Sequence, residues 1–395
     1  MRTLIQNALI YDSAALSFFE GALLIGGSEG EGRIIEVLPE ARHAYAHLPQ
    51  SEMSIDAGGR YLIPGFVDVH THGRACEDFN FSDREGMLRA ARSYAAAGVT
   101  SLFPTLASAP FDELCTSAAL IRELSGAKSD GARFLGTHLE GRYLNPSKRG
   151  AHAAVLLAAP NIEELELFAE SAGTPLHMTV ALELDGVREF AERAREHGIT
   201  LGLGHTNATF DQAMDAWRKF GVSFTHLYNA MPQIHHREGG AAAAALMSGG
   251  YCELICDGMH VSPHMVAFTL KNIGLEKLVL ISDSMAAAGA PDGDYMIAGT
   301  PACVRGGVAR TPEGALAGST LDLHRAVENL ARFTGIKLSD AILAATRNPA
   351  AEVGLEGEVG VISPGAFADL LFADVNEAAG RIDIDRVMIG GRYTD

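Results

Sequence analysis

Cysteine is scarce in this 395-residue chain: five in all, Cys76, Cys115, Cys252, Cys256 and Cys303, odd in number and scattered. That spacing implies no disulfide framework. Cys252 and Cys256 stand four apart, but YCELIC reads as a buried strand with small core residues. Basic side chains are also in short supply, 31 against 49 acidic ones, for a formal charge of −18. Such a balance argues against nucleic acid or an anionic membrane held by bulk charge. It leaves room for a small anionic substrate where a few cations are placed locally. No run of about 20 apolar residues is present, and the amino-terminal MRTLIQNALIYD lacks the apolar stretch of a signal peptide. The expectation is a reduced, cytoplasmic protein with no membrane span. What is abundant is apolar: 47% hydrophobic against 20% charged residues, enough for one large core and a smaller satellite domain.

The first sixty residues read as short β segments, TLIQNALIYD, ALLIGG and GRIIEVLP, separated by glycine and acidic turns. From Leu62 the rhythm changes, and apolar strand-like runs alternate with helix-like ones. LIPGFVDVHTH, TSLFPTL, ARFLGTHLEG, HMTVALEL, TLGLGHT, VSFTHLYNA, YCELICDGMH and KLVLISDSM are the strands of this series. Segments such as REGMLRAARSYAAAG, NIEELELFAESAG and FDQAMDAWRKFG fall between them, and the alanine run Ala241 to Ala245 reads as a tightly packed helix. Eight such units over roughly 250 residues is the arithmetic of a TIM barrel. Past Glu356 short strands return (EVGVISPG, ADLLFADV, RVMIGGRYT). The expected fold is therefore α/β: a (β/α)8 barrel over residues 61–350, with a small β-sandwich domain built from 1–60 and 351–395.

The run Pro64 to Gly73, PGFVDVHTHG, carries the first chemistry. Side chains at i and i+2 of a strand face the same way, so His70 and His72 aim at one point where the strand stops. Neutral imidazole is a common ligand for zinc or iron. Active sites of such barrels lie at the carboxyl ends of the strands. His138 and Glu140 end the third, His205 the fifth, His226 the sixth, His260 the seventh and Asp283 the eighth. Each alone could be a satisfied core or loop residue; together they converge on one mouth. His43, His47, His177, His197 and His324 lie elsewhere and read as ordinary. The set points to metal-assisted hydrolysis, in which a divalent cation brings the pKa of water toward about 7. Asp283 suits the proton transfers; its alternative reading is an N-cap on the following segment.

In this order, the PGFVDVHTHG, HLEGRY, GHTNAT, THLYNAM, CDGMH and SDS motifs resemble the amidohydrolase superfamily, and within it the N-acetylglucosamine-6-phosphate deacetylase family. The resemblance spans the whole chain, closing strands included. It implies that Glu140, His205 and His226 ligate a principal metal and that His70 and His72 serve a second, so one or two divalent ions are expected, zinc ahead of iron, manganese or cobalt. It implies Asp283 as general base and acid, and His152 as the group that polarises the acetyl carbonyl, beside a backbone contact at Ala151. Asn229, Ala230, Arg237, Asp257, Gly258, Met259, His260, Leu316, Ala317 and Gly318 would contact the sugar phosphate. A homodimer is also implied. Arg237 has an alternative as a surface partner of Glu238, and Asn229 as a polar loop cap.

The chain departs from the family pattern in places. Arg142-Tyr143 follows HLEG where the family has proline and an aromatic; Arg142 could pair with Glu140, reach the phosphate or point to solvent. Ala181-Leu182-Glu183, Arg237-Glu238-Gly239-Gly240 and Ser282-Asp283-Ser284 replace Ala-Pro-Glu, HREPG and Thr-Asp-Ala. These changes fall on the sugar pocket and leave N-acetylgalactosamine 6-phosphate, or another amino sugar phosphate, as an alternative substrate. A different amidohydrolase that bridges two metals with a lysine on strand four is disfavoured, because HMTVALEL has none. A barrel that has lost its metal is disfavoured too, since no ligand position is empty.

Overall fold

The computed structural model describes residues 2–28, 30–39, 51–125, 127 and 130–394. His43 and His47 lie outside them. The barrel strands are β1 (Phe66–Thr71), β2 (Val99–Ala107), β3 (Thr137–Glu140), β4 (Leu176–Val180), β5 (Thr200–Leu203), β6 (Ser223–Phe224), β7 (Cys252–Ile255) and β8 (Leu278–Ile281). All adjacent pairs from β1 to β8 run parallel. The ring is brought together past the end of β8, where Asp283 N–H donates to the His70 carbonyl (2.9 Å) and His72 N–H to that of Ser284 (2.8 Å). Strand residues are buried on both faces, as a barrel wrapped in helices requires.

Local sequence explains the helices between the strands. Thr209 caps Phe210–Phe220 in a reciprocal box with Gln212, and Gly221, at φ 66°, ends that helix. Asp83 accepts from Gly86 N–H to start Arg84–Ala96. The alanine run forms Gly240–Ser248, whose small side chains are mostly buried.

The strands of the two chain ends join in one sheet, in the order 392–393, 381–389, 370–376, 61–64, 2–12, 17–26, 33–39. It forks at residues 2–12, whose first half pairs with Met53–Asp56 and second half with Tyr61–Leu62. The sheet has its own core of Ile5, Ile10, Leu23, Leu62, Leu370 and Phe372. The boundary expected between 60 and 61 differs from this pairing: Tyr61–Pro64 hydrogen-bonds to residues 370–373 of the end sheet, and the chain enters the barrel at Gly65.

Gly65 is where this crossing is tightest. A Cβ there would stand 2.0 Å from Thr100 Oγ1 and 2.6 Å from Thr100 Cβ on β2. Gly65→Ala is expected to destabilise the protein by about 1–3 kcal/mol, read as a lower urea midpoint with an unchanged slope.

One element is absent from the sequence expectation. After β8 the chain makes a three-stranded antiparallel sheet, Gly293–Ile297, Thr300–Arg305 and Val308–Arg310, which reaches over the barrel mouth.

Candidate active site

Glu140 ends β3 and sits at the centre of the mouth. Its Oε1 lies 2.8 Å from His226 Nε2 and 3.2 Å from His205 Nε2, and those two nitrogens are 3.1 Å apart. Its Oε2 lies 3.2 Å from His72 Nε2 and 3.5 Å from His152 Nε2. Asp283 Oδ1 is 3.3 Å from His72 Nε2 and 3.7 Å from His70 Nε2. Two trios result, Glu140 with His205 and His226, and Asp283 with His70 and His72, all buried.

Backbone strain aims several of these groups. His205 (φ 45°), His226 (φ 29°) and Asp283 (φ 46°) all adopt the left-handed region, which costs a non-glycine residue about 1–3 kcal/mol. Surrounding hydrogen bonds hold them there. Glu183 accepts from Thr206 Oγ1 (2.5 Å) and Asn207 N–H (2.6 Å), bracing the turn that follows His205.

The ring protons test whether the trios suit a cation. His205 Nδ1 donates to the Lys148 carbonyl (2.8 Å), which leaves a lone pair on Nε2 facing Glu140. His70 Nδ1 donates to Glu253 Oε2 (2.9 Å), and its Nε2 has no hydrogen-bond partner. In each trio a ring lone pair thus turns toward a carboxylate oxygen, an arrangement that a divalent ion satisfies. Burial pushes the Glu140 carboxyl up, yet His70 first, then His152 and His205 close beside it, hold it well below the usual range. Asp283 behaves likewise, its carboxyl lowered against burial by His72 and His70. Both are carboxylates at neutral pH.

His152 is tuned the other way. Ser108 N–H donates to its Nδ1 (3.3 Å), and Ser108 Oγ is 2.9 Å from the same atom. The ring proton is therefore on Nε2, on the side of Glu140. Burial first, then the neighbouring His205, pushes its pKa down to about 4, against the hydrogen bond it donates to Glu140. At neutral pH it is a neutral N–H donor.

A cleft of about 440 Å³ opens over these groups. His72, Glu140, Ala151, His152, His205, His226, Asn229, Ala230, His260, Asp283, Leu316 and Gly318 line it, so the structure brings most of the expected residues to one space. His70 is fully buried behind them. Asp257 holds His260 through Nδ1 to Oδ2 (2.7 Å) and accepts the Met259 and His260 N–H groups at its other oxygen. Gly258 (φ 79°) faces Phe333, Met259 is 54% exposed, and Ala317 is buried with its N–H on the Ala309 carbonyl. These last three do not line the cleft. Arg237 does not either: it is exposed, with Nη1 on His236 Nε2 (2.8 Å). Asn229 lines the cleft while its Nδ2 also caps the His226 and Leu227 carbonyls.

Two expectations are corrected. His138 does not join the mouth: it shares a strand face with Glu140 but lies one layer deeper, between Thr105 Oγ1 (3.1 Å) and Thr179 Oγ1 (2.9 Å). Arg142 takes none of its three expected positions. It binds Glu164 through Nε (3.1 Å) and Nη2 (2.7 Å), and the Tyr143 hydroxyl donates to the same carboxylate (2.9 Å). Arg142→Met is expected to lower stability by roughly 1–3 kcal/mol, the range for a lost charged hydrogen bond, and to leave the ratio of activities on competing sugars unchanged. A thermal melt and a competition assay on one preparation check both.

Sequence reasoning missed four contributors. Lys148 lines the cleft, with its carbonyl on His205 and its Nζ on the Met231 carbonyl (3.3 Å). Ser108 fixes the His152 tautomer across 44 residues, and no local pattern announces it. Ile297 and Ala298 come from the three-stranded insertion, whose signal was the alternation in DYMIAGTPACVRGG.

The fold and the site define a metal-dependent hydrolase, and residues 61–394 match the amidohydrolase family model: the chain belongs to the amidohydrolase family. Among its relatives, an N-acetylgalactosamine-6-phosphate deacetylase of Escherichia coli O157:H7 is 35% identical over 83% of this chain and 86% of its own length. An N-acetylglucosamine-6-phosphate deacetylase of Vibrio furnissii is 30% identical over 94% and 90%. In structure, the N-acetylglucosamine-6-phosphate deacetylase of Thermotoga maritima superposes with a TM-score of 0.85 at 30% identity over 99% of both chains. A Mycobacterium smegmatis deacetylase mutant solved with N-acetyl-D-glucosamine-6-phosphate gives 0.85 at 29% identity, over 100% of this chain and 99% of that one.

Proposed function

We propose that the protein removes acetate from N-acetylglucosamine 6-phosphate, leaving glucosamine 6-phosphate. The observation that carries this reading is the joint placement of the Glu140 trio, Asp283 and a neutral His152 on one cleft that can hold a small sugar. Glu140, His205 and His226 would hold the principal cation, with His70 and His72 available for a second; zinc is the first candidate, then iron, manganese or cobalt. A cation there supplies Lewis acidity, making water acidic enough to attack near neutral pH.

The chain's own groups do the rest. Asp283, ionised and held beside His72, accepts the proton of the attacking water. His152 Nε2–H donates to the amide oxygen as negative charge grows on it. Asp283 then returns its proton to the departing nitrogen, since an amine does not leave as an anion. Lys148 is the one lysine or arginine lining the cleft among the described residues and, with His260, offers donors for the phosphate. Arg237, on its exposed turn, would reach the phosphate only after movement or from a second copy in a homodimer. The barrel, which the chain enters at Gly65, would carry the chemistry and the end segments the accompanying β domain. A cytoplasmic setting agrees with five unpaired cysteines and with the absence, among described residues, of a helix able to cross a membrane.

The galactosamine isomer is the second reading, supported by the 35% identity to a deacetylase of that sugar phosphate. Acetate release from the two 6-phosphates and from unphosphorylated N-acetylglucosamine decides. A higher kcat/KM on N-acetylglucosamine 6-phosphate is expected; preference for the isomer would move the assignment, and no acetate from a metal-loaded sample would overturn it.

A further inference from the structure

Beneath the mouth, toward the amino ends of the strands, the barrel holds a second cluster that the hydrolytic reading does not use. It consists of His177 on β4, Glu253 on β7 and Glu352, which ends the short helix Arg347–Glu352. One ligand atom from each lies within 4.8 Å of the others, and all three residues are buried. Glu253 Oε2 is engaged by His70 Nδ1 (2.9 Å) and His226 N–H (3.1 Å), so the cluster stands behind the mouth with the His70 ring between.

What faces the centre of this cluster is acceptor upon acceptor. Glu253 Oε1, both oxygens of Glu352 and His177 Nε2 have no hydrogen-bond partner. The tautomer of His177 follows from its other nitrogen. The Thr200 hydroxyl donates to the Leu176 carbonyl (3.4 Å), so it accepts from His177 Nδ1–H (2.8 Å). His177 Nε2 then carries a lone pair, fixed in direction as metal-bound imidazoles are by their outer hydrogen bond. Gly202 keeps the space open: a Cβ there would lie 3.1 Å from His177 Nε2 and 3.4 Å from Ser223 Oγ, a buried hydroxyl whose effect on Glu352 is to lower that carboxyl without offsetting its burial. Two buried carboxylates without a nearby cation are costly. Burial and the charge of Glu253 accordingly push the Glu352 carboxyl well above its usual range.

We propose that His177, Glu253 and Glu352 form a structural cation site in the barrel floor, separate from the catalytic centre, that takes one divalent first-row transition ion. One imidazole nitrogen with two carboxylates is a mixed donor set that suits manganese, iron or zinc. A +2 charge neutralises both carboxylates. The ion ties β4 and β7 to the helix that follows the last barrel unit, and it fixes the Glu253 carboxylate that orients His70.

Manganese serves as the probe. Protein loaded with Mn2+ and dialysed against metal-free buffer is analysed for ions per chain as wild type, Glu352→Gln and His177→Gln. Each variant is expected to hold one ion fewer than wild type, and Glu352→Gln to melt at a lower temperature. Equal ion counts, with Glu352→Gln melting at or above wild type as relief of a buried charge predicts, would overturn the proposal and leave a proton or water there. Should both variants fail to fold, anomalous diffraction from Mn2+-loaded wild-type crystals decides: a peak among the three side chains upholds the site, and its absence with the mouth occupied refutes it. None of these readouts involves acetate release.

Discussion

Asp283→Asn is expected to lower kcat by roughly 10³–10⁴-fold, the upper part of the range for general acid–base catalysis, because one side chain makes both proton transfers. The substitution preserves shape. Asp283 N–H still reaches the His70 carbonyl, and the strained backbone at φ 46° suits asparagine, which tolerates that region better than most residues. What is lost is the charge: an amide neither takes the water proton nor delivers one to the nitrogen. KM should change little, since the interaction belongs to the transition state. Elemental analysis should still find the ion held by Glu140, His205 and His226. Turnover within tenfold of wild type would remove Asp283 from the reaction.

Glu140→Gln is expected to abolish retention of the principal ion and, with it, measurable turnover. The carboxylate is the anion around which His72, His152, His205 and His226 gather, at 2.8 to 3.5 Å. Replacing even an outer hydrogen-bond partner of a metal ligand typically weakens affinity 10–100-fold, and loss of the anionic ligand itself should cost at least roughly a hundredfold. A melting series separates this from general damage. Wild type should gain about 2.7 kcal/mol from the principal site when zinc is raised to roughly 100 times the dissociation constant of that site, and the variant should lack that part of the gain. A variant that is stabilised by zinc as wild type is would place the principal ion elsewhere.

Alternation along strands made much of this site legible in the sequence. His70 and His72 end β1 on one face, and Glu140, His205, His226 and Asp283 stand at or just past the ends of their strands. The same rule misplaced His138, because period-two alternation fixes the face of a residue and leaves its depth open. His138 and Glu140 share a face, yet hydroxyls from β2 and β4 satisfy the histidine below the mouth. His177 escaped notice for a related reason: its partners Glu253 and Glu352 are 76 and 175 residues away, and only the closed ring brings them together. Arg142 shows the limit for charge. Its partner Glu164 lies on the following helix, and nothing local distinguishes that carboxylate from Glu140 two residues back. The three-stranded insertion was missed because barrel arithmetic stops at eight strands.

The most direct measurement is acetate and free amine released from N-acetylglucosamine 6-phosphate by one preparation, assayed as isolated, after chelation, and after zinc is restored. One acetate and one amine per sugar consumed, silence after chelation and recovery with zinc are the predicted results. Undiminished turnover by chelated protein shown to be free of metal would contradict a mechanism built on the Glu140, His205 and His226 trio.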